Sequence, residues 1–412
     1  MAFQRTLLAG FAALAASTAV VQAEPLKIAL VETLSGPQAS TGLLYRSAVR
    51  YELDKLNAAG GFKGEAVTLL EYDNQGGPVG AADRVKAAIA DGARIVIQGS
   101  SSAVAGQISE DVRKYNLRNK GKEVLYINLG GEAMELTGEK CHFHHIRTSP
   151  NAAMRFQTLA KGMKELNLIG EKAYSFNQNY SWGIDVETTV LENADKIGYE
   201  VVGKALHEVN KIQDFSPYVA QIQQSGATTV FTGNWSNDLL LLMKAAADAK
   251  LKATFATAFL DQPGNIGNAG AVAEGHLMSG PFNAEATPAA EALAEDYKKV
   301  TGHYPVYVET YTLFGMQALA AALKSVEQKD GELTANDLVL AFENVKLDTA
   351  IGPYSIRAAD HQAQMPMIIQ KVSKDAKFKV DGTEYGFQPL LTYSGVDSED
   401  PVQSGCQMKR PV

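Results

Sequence analysis

Residues 94 to 109 read Arg-Ile-Val-Ile-Gln-Gly-Ser-Ser-Ser-Ala-Val-Ala-Gly-Gln-Ile-Ser, and this stretch decides the fold. Arg94 to Gln98 is a short apolar run rich in β-branched side chains, Gly99 breaks it, and from Ala103 the composition turns helical. The spacing therefore predicts strand, serine turn, helix. The first turn of such a helix carries N–H groups without intrahelical partners and a partial positive charge, and the hydroxyls of Ser101 and Ser102 can add donors. A small carboxylate suits that site; a serine that only caps the helix is the competing use of the same residues. A hydrolase nucleophile elbow requires G-x-S-x-G, and Gly99-Ser100-Ser101-Ser102-Ala103 lacks the closing glycine, so binding is favoured over catalysis.

The same rhythm extends outward from this centre. On the N-terminal side lie a strand over 27–31, a helix over 43–57 ending at Gly60-Gly61, a strand over 66–72 and a helix over 79–90; a further strand over 124–128 follows. After His145-Ile-Arg-Thr-Ser-Pro150 the alternation restarts, with strands at 172–176, 200–205, 228–232 and 254–258 separated by helices at 152–166, 182–197, 215–224 and 237–249. Helices at 289–301, 308–326 and 334–344 and a β-like segment over 365–372 close the pattern. Strands that alternate with helices imply parallel sheets covered on both faces, and the restart implies two similar α/β lobes.

Length and charge bound the function. The first 23 residues carry one early cation, Arg5, an apolar run from Leu7 to Ala16 and a small-x-small end at Val21-Gln22-Ala23. That is the pattern of a secretory signal peptide, too short in its apolar core to span a bilayer. Removing it takes away Arg5 and no acid, so the formal charge moves from −8 to −8 − 1 = −9. An acidic chain without a basic tract argues against nucleic acid or anionic lipid as a partner. Cys141 and Cys406 both lie in the exported part, in turn-rich settings, and allow one disulfide tying the C-terminal tail to the body; two free thiols or an intermolecular link are the alternatives.

In open parallel sheets the ligand crevice lies beyond the carboxyl ends of the strands. The turns to inspect are therefore 32–42, 99–102, 129–134, 177–183, 233–237 and 259–264, which are rich in Gly, Ser, Asn and aromatic residues and poor in catalytic sets. His142, His144 and His145 form the one histidine cluster; on a strand the first two share a face and the third points away, and no cysteine or carboxylate stands beside them at metal-ligand spacing. There is no phosphate loop or dinucleotide fingerprint. No catalytic residue, metal or cofactor is expected.

Several stretches together resemble the periplasmic solute-binding proteins of ABC importers, of the branched-chain amino-acid and amide type. They are Leu34-Ser-Gly-Pro-Gln-Ala-Ser-Thr-Gly42, Leu56-Asn-Ala-Ala-Gly-Gly-Phe-Lys-Gly64, Tyr72-Asp-Asn with Pro78 following, Asn177-Gln-Asn-Tyr-Ser-Trp-Gly183, Asp214-Phe-Ser-Pro-Tyr-Val-Ala-Gln-Ile222 and Ala273-Glu-Gly275. The resemblance implies a type I periplasmic binding fold, α/β, with two Rossmann-like lobes joined by a three-segment hinge. It places lobe 1 at 24–146 plus 277–355 and lobe 2 at 147–276 plus 356–412. It implies a monomer in the periplasm that closes on a small amino acid or aromatic carboxylate and serves permease subunits in the inner membrane. A secreted hydrolase or a sensory binding protein is the alternative; the latter needs a DNA-binding or transmembrane segment that the sequence does not contain.

The family's contacts to a ligand carboxylate map onto Thr41, Ser102 and the turn from Gly130 to Glu132, and its contacts from the second lobe map onto Trp182 and Trp235. Glu132 stands where the family has threonine, and an ionised Glu132 turned to the ligand repels a carboxylate. Tryptophan replaces tyrosine at 182 and 235. The acid that holds an α-ammonium falls on Phe259, with Asp261 nearby. More ring surface implies a ligand larger and flatter than leucine, such as an aromatic or aryl-propenoid acid, or an aromatic amino acid using Glu132 or Asp261; loop packing is the alternative role of both tryptophans.

Overall fold

The computed structural model describes residues 25–329 and 331–411; the export signal expected over residues 1–23 lies outside them. In chain order the first lobe begins with β1 (Lys27–Glu32), α1 (Ala39–Ala58), β2 (Thr68–Asp73), α2 (Pro78–Ala90), β3 (Ile95–Gln98), α3 (Ser102–Arg118), β4 (Leu125–Asn128) and β5 (His145–Arg147). The chain then crosses over into α4 (Ala152–Glu165), β6 (Lys172–Gln178), α5 (Ser181–Ile197), β7 (Glu200–His207), α6 (Ser216–Ser225), β8 (Thr229–Thr232), α7 (Ser236–Asp248), β9 (Thr254–Thr257), α8 (Asn265–Ala269) and β10 (Leu277–Gly280). It returns with α9 (Pro288–Thr301), α10 (Tyr307–Val326), α11 (Ala335–Glu343), β11 (Lys346–Thr349), β12 (Gly352–Arg357) and β13 (Gln362–Gln364), and crosses once more into β14 (Met367–Ser373) and β15 (Gly386–Tyr393).

Two sheets result, ordered β11-β12-β13-β5-β4-β3-β1-β2 and β15-β14-β10-β9-β8-β6-β7. In the first, β1 to β5 and β13 run parallel and β11 and β12 are antiparallel additions. In the second, β6 to β10 are parallel, and β14 and β15 are antiparallel. The central strands β3 and β4 are buried along their whole length. Covered by helices on both faces, they need apolar side chains on both faces, which is why Ile-Val-Ile and Leu-Tyr-Ile are continuous rather than alternating runs.

The sheets correct the boundaries expected at 277 and 355. β10 pairs with β9 and β14 in the second sheet, so the second crossing lies after Gly280. The end of β12 and all of β13 remain in the first sheet, so the third lies between Gln364 and Met367. The crossings are cross-linked to one another: buried Arg147 donates from Nε to Gln362 Oε1 at 2.6 Å, and Gln362 Nε2 donates to the Ser149 carbonyl at 2.8 Å.

The tail past Tyr393 also departs from expectation, because it docks on the hinge and the first lobe rather than the second. Ser398 bonds the Met365 carbonyl, Arg357 bonds the Asp400 carbonyl, and Arg410 pairs with Glu343 of α11. Cys406 is joined to Cys141 across a sequence separation of 265. The tail thus runs from the second sheet over the hinge to a covalent anchor on the first lobe.

His142 and His144 lie in a turn rather than on a strand. His142 bonds Ser109, His144 bonds Asn336 and His145 stacks on Tyr126. Among the described residues no group of three His, Cys, Asp or Glu is placed to hold a metal ion.

Candidate functional site: a cavity between the lobes

The turn after β3 is built from beneath. Glu32, at the end of β1 and fully buried, accepts the Gly99 amide at 2.8 Å and the Ser100 amide at 3.1 Å on one oxygen and the Thr33 amide at 2.7 Å on the other. Burial raises its pKa, and these hydrogen bonds act in the opposite direction. Gln98 Nε2 bonds the Ser100 carbonyl. Ser101 then sits at the N-cap of α3 with φ +72°, a left-handed conformation that is uncommon outside glycine and concentrates at ligand sites. No side chain caps α3, so the capping role considered for these serines is not realised. Ser102 Oγ accepts the Ala133 amide at 3.1 Å, which pins the 130–133 turn to α3 and leaves the hydroxyl proton to donate.

Two glycines are required by one tyrosine. A Cβ at Gly99 stands 2.1 Å from the Tyr45 ring, and one at Gly130 stands 1.8 Å from the Tyr45 hydroxyl. Tyr45 therefore lies against both turns, with its hydroxyl 2.7 Å from that of Tyr311.

Thr41, Ser101, Ser102, Gly130, Glu132, Trp182, Trp235 and Phe259, all singled out from sequence, line one cavity between the lobes. Tyr45, Gly99, Ser100, Tyr180, Tyr307, Val308 and Tyr311 complete it. The cavity is about 30 Å³; on this measure one water takes roughly 10–15 Å³, so the lobes are shut closely around a compact space. Thr41 Oγ1 is buried and has no hydrogen-bond partner in the protein. Trp182 donates to the Gly233 carbonyl at 2.7 Å and packs on Phe259 with ring centroids 5.3 Å apart. Trp235 donates to the Tyr180 hydroxyl at 2.7 Å. The indole N–H groups of both tryptophans are thus used up within the second lobe, and both residues line the cavity.

Asp261 does not line the cavity. Its Oδ2 accepts the Tyr307 amide at 2.8 Å, holding the start of α10 from the opposite lobe, and burial pushes its pKa up to about 7. Glu132 does line it, but does not confront a ligand as a bare anion. Arg155, from the first turns of α4 across the cleft, grips it in a two-toothed pair, Nε to Oε2 at 2.6 Å and Nη2 to Oε1 at 2.7 Å. Relative exposures are 0% for Arg155 and 2% for Glu132, so water screens this pair very little. Burial pushes the Glu132 carboxyl up and the guanidinium pulls it back. Arg155 also donates to the Ser279 carbonyl at 3.0 Å and lies over the faces of Phe259 and Tyr311. A third cross-lobe bond runs from the Met134 amide to Asp185 of α5 at 2.7 Å, and burial raises that carboxyl to about 6.

Sequence reasoning missed Arg155, Tyr307 and Tyr311. They are mid-helix or helix-start residues, and the turn-by-turn survey of strand ends did not reach them. The run Tyr304, Tyr307, Tyr311, spaced along one helical approach, was the available signal.

Comparison with known proteins agrees with this architecture. The family model described as periplasmic binding protein matches residues 25–377. The chain is 70% identical over 397 residues to the Leu/Ile/Val-binding protein homolog 4 of Brucella abortus, covering 96% of this chain and 95% of that one. It is 27% identical over 365 residues to the leucine-specific-binding protein of Salmonella typhimurium, covering 85% and 91%. It superposes with a TM-score of 0.90, at 70% identity, on the closed crystal structure of the leucine-, isoleucine-, valine-, threonine- and alanine-binding protein from Brucella ovis, covering 94% of this chain and 100% of that one. These relatives are solute-binding components of transport, not enzymes. With two lobes of type I topology closed over one cavity, the chain belongs to the periplasmic binding protein family, in its branched-chain amino-acid-binding type.

Proposed function

We propose that the protein, exported and acting as a monomer in the periplasm, captures a small carboxylate with a compact apolar body and delivers it to the membrane permease of an ABC importer. The ligand class spans amino acids and aromatic acids. The observation that carries this reading is the meeting, in one closed cavity, of the uncapped start of α3 with the unpartnered Thr41 hydroxyl on one side and the rings of Trp182, Trp235 and Phe259 on the other. The carboxylate sits at the α3 amides, Ser102 and Thr41, where the helix field and free donors favour an anion. The body sits against rings from the opposite lobe. A ligand that touches both lobes binds the closed state best and shifts the population towards it, which is the signal a permease reads.

The compact space favours a small ligand over an extended aryl-propenoid acid. The names of the 70% identical relatives support aliphatic amino acids, and the ring-lined wall supports a flat acid. Trp182 and Trp235 are the chain's two tryptophans, and both line the cavity, so ligand-stripped protein should show a saturable, one-to-one emission change with its ligand. Native mass spectrometry of freshly purified protein identifies any ligand retained. If no amino acid or aromatic acid changes the emission and no small acid is carried through purification, the proposal fails.

A further inference from the structure

The side chains that the second lobe brings to the cavity are those of Tyr180, Trp182, Trp235 and Phe259. Phe259 has no polar side-chain atom, and an indole has one, its N–H donor. Trp182 gives that donor to the Gly233 carbonyl and Trp235 gives its own to the Tyr180 hydroxyl. The Tyr180 hydroxyl is therefore the one side-chain group of this wall still able to hydrogen-bond a ligand. The topology sets it there. Tyr180 is the N-cap of α5 and Trp235 the N-cap of α7, and these helices follow β6 and β8, which are paired neighbours in the second sheet. Helices that follow parallel strands start at the strands' carboxyl ends, so the two caps stand side by side at the crevice.

The bond from Trp235 also fixes what that hydroxyl does. A phenol oxygen that accepts an N–H at 2.7 Å keeps its own proton to donate. Among the described residues no acceptor takes that proton; Glu132, the carboxylate lining the cavity, has both oxygens on Arg155. On its other side Tyr180 borders a groove along α3, together with Ser102, Gln107 and Ser181. Water in that groove can take the proton of a ligand-free site, and an acceptor on the ligand takes the water's place on closure. A hydroxyl on the ligand's body, pressed against two indoles and a phenyl ring, would otherwise lose its bonds to water without replacement, a loss an aliphatic body never meets.

We propose that Tyr180 is a specificity-determining residue, which lets the site accept a small carboxylate with a hydroxyl on its body beside the apolar analogue of the same shape, and that Trp235 positions it. This inference rests on the capture of a small carboxylate proposed above. The test uses matched pairs in which only that hydroxyl differs: threonine against valine, where a hydroxyl replaces a methyl, and 4-hydroxybenzoate against benzoate. Each is titrated calorimetrically into the full mature protein after unfolding, dialysis and refolding to strip retained ligand. Tyr180→Phe, checked for folding by circular dichroism, should move the affinity ratio of at least one pair fivefold or more towards the member without the hydroxyl. Trp235→Phe, which keeps a ring and removes the donor to Tyr180, should move the ratio in the same direction. Loss of packing alone weakens both members alike and leaves the ratio in place, so the ratio separates recognition from a structural role. If Tyr180→Phe moves the ratio less than fivefold in every pair that binds, the inference is overturned while small-carboxylate capture stands; if only Trp235→Phe leaves the ratio unmoved, the positioning role of Trp235 is overturned. If no member of either pair binds the wild type, both the inference and the capture it rests on fall.

Discussion

Glu132→Gln removes one charge from a pair that joins the two lobes in the closed structure. The substitution keeps shape and one acceptor, and it leaves Arg155, fully buried in the closed state, with the Ser279 carbonyl as its nearest remaining partner. Removing one member of a buried ion pair costs about 3–5 kcal/mol, because the other charge is stranded. Glu132 belongs to the first lobe and Arg155 to the second, so opening the cleft returns the stranded guanidinium to water. The cost therefore falls on closure rather than on the folding of either lobe. At about 1.4 kcal/mol per decade, ligand affinity should drop by roughly a hundredfold to a few thousandfold, for every ligand alike. The melting temperature of ligand-free protein should fall by no more than a few degrees. Replacing both residues, Glu132→Leu with Arg155→Met, removes both charges and should recover much of the loss, since apolar replacement of a buried pair is often near neutral. Calorimetric titration and scanning calorimetry on the three proteins decide the matter. Affinity within threefold of wild type for Glu132→Gln, or a large fall in ligand-free melting temperature with affinity unchanged, would refute a closure-specific pair.

Other expectations follow from the same contacts. Asp261 and Asp185 both bridge the lobes with carboxyls raised by burial, to about 7 and about 6. A raised carboxyl contributes to the closed state at low pH and loses that contribution as pH rises through its raised value, so affinity should increase as pH falls from about 8 towards 5, and Asp261→Asn should flatten most of the upper part of that rise; a flat wild-type profile contradicts this. Gly130→Ala drives a methyl into the Tyr45 hydroxyl and should displace that ring and lower affinity severalfold or more, whereas Gly121→Ala, where a Cβ meets nothing but φ is +80°, should cost stability without altering binding. Peptide mapping without reductant should recover Cys141 and Cys406 as one cross-linked pair; closing a loop of 265 residues is worth about 5.6 kcal/mol in the chain-entropy model, so reduced protein should melt measurably lower, and two separately alkylated cysteines in periplasmic protein would contradict the bridge.

The sequence by itself determined what depends on near neighbours. The β-branched run ending at Gly99 and the helical composition after Ser102 fixed one strand-turn-helix unit, and its repetition fixed two parallel-sheet lobes, because periodicity and breakers act over a few residues. The same locality marked the turns at strand ends, where a parallel sheet must put its crevice; within them it was the resemblance to a known family that picked out Thr41, Ser102, Gly130, Trp182, Trp235 and Phe259. What the tertiary structure alone decided is pairing over long distances. Nothing near Glu132 in the chain announces Arg155, 23 residues on and in the other lobe; in sequence it is one more polar residue on an amphipathic helix. The assignment of β10 to the second sheet, the return of the tail to the first lobe and the packing of Tyr45 against Gly99 and Gly130 are of the same kind. Each is settled by which distant segments of the chain pack together in three dimensions, and that meeting leaves no local pattern to read.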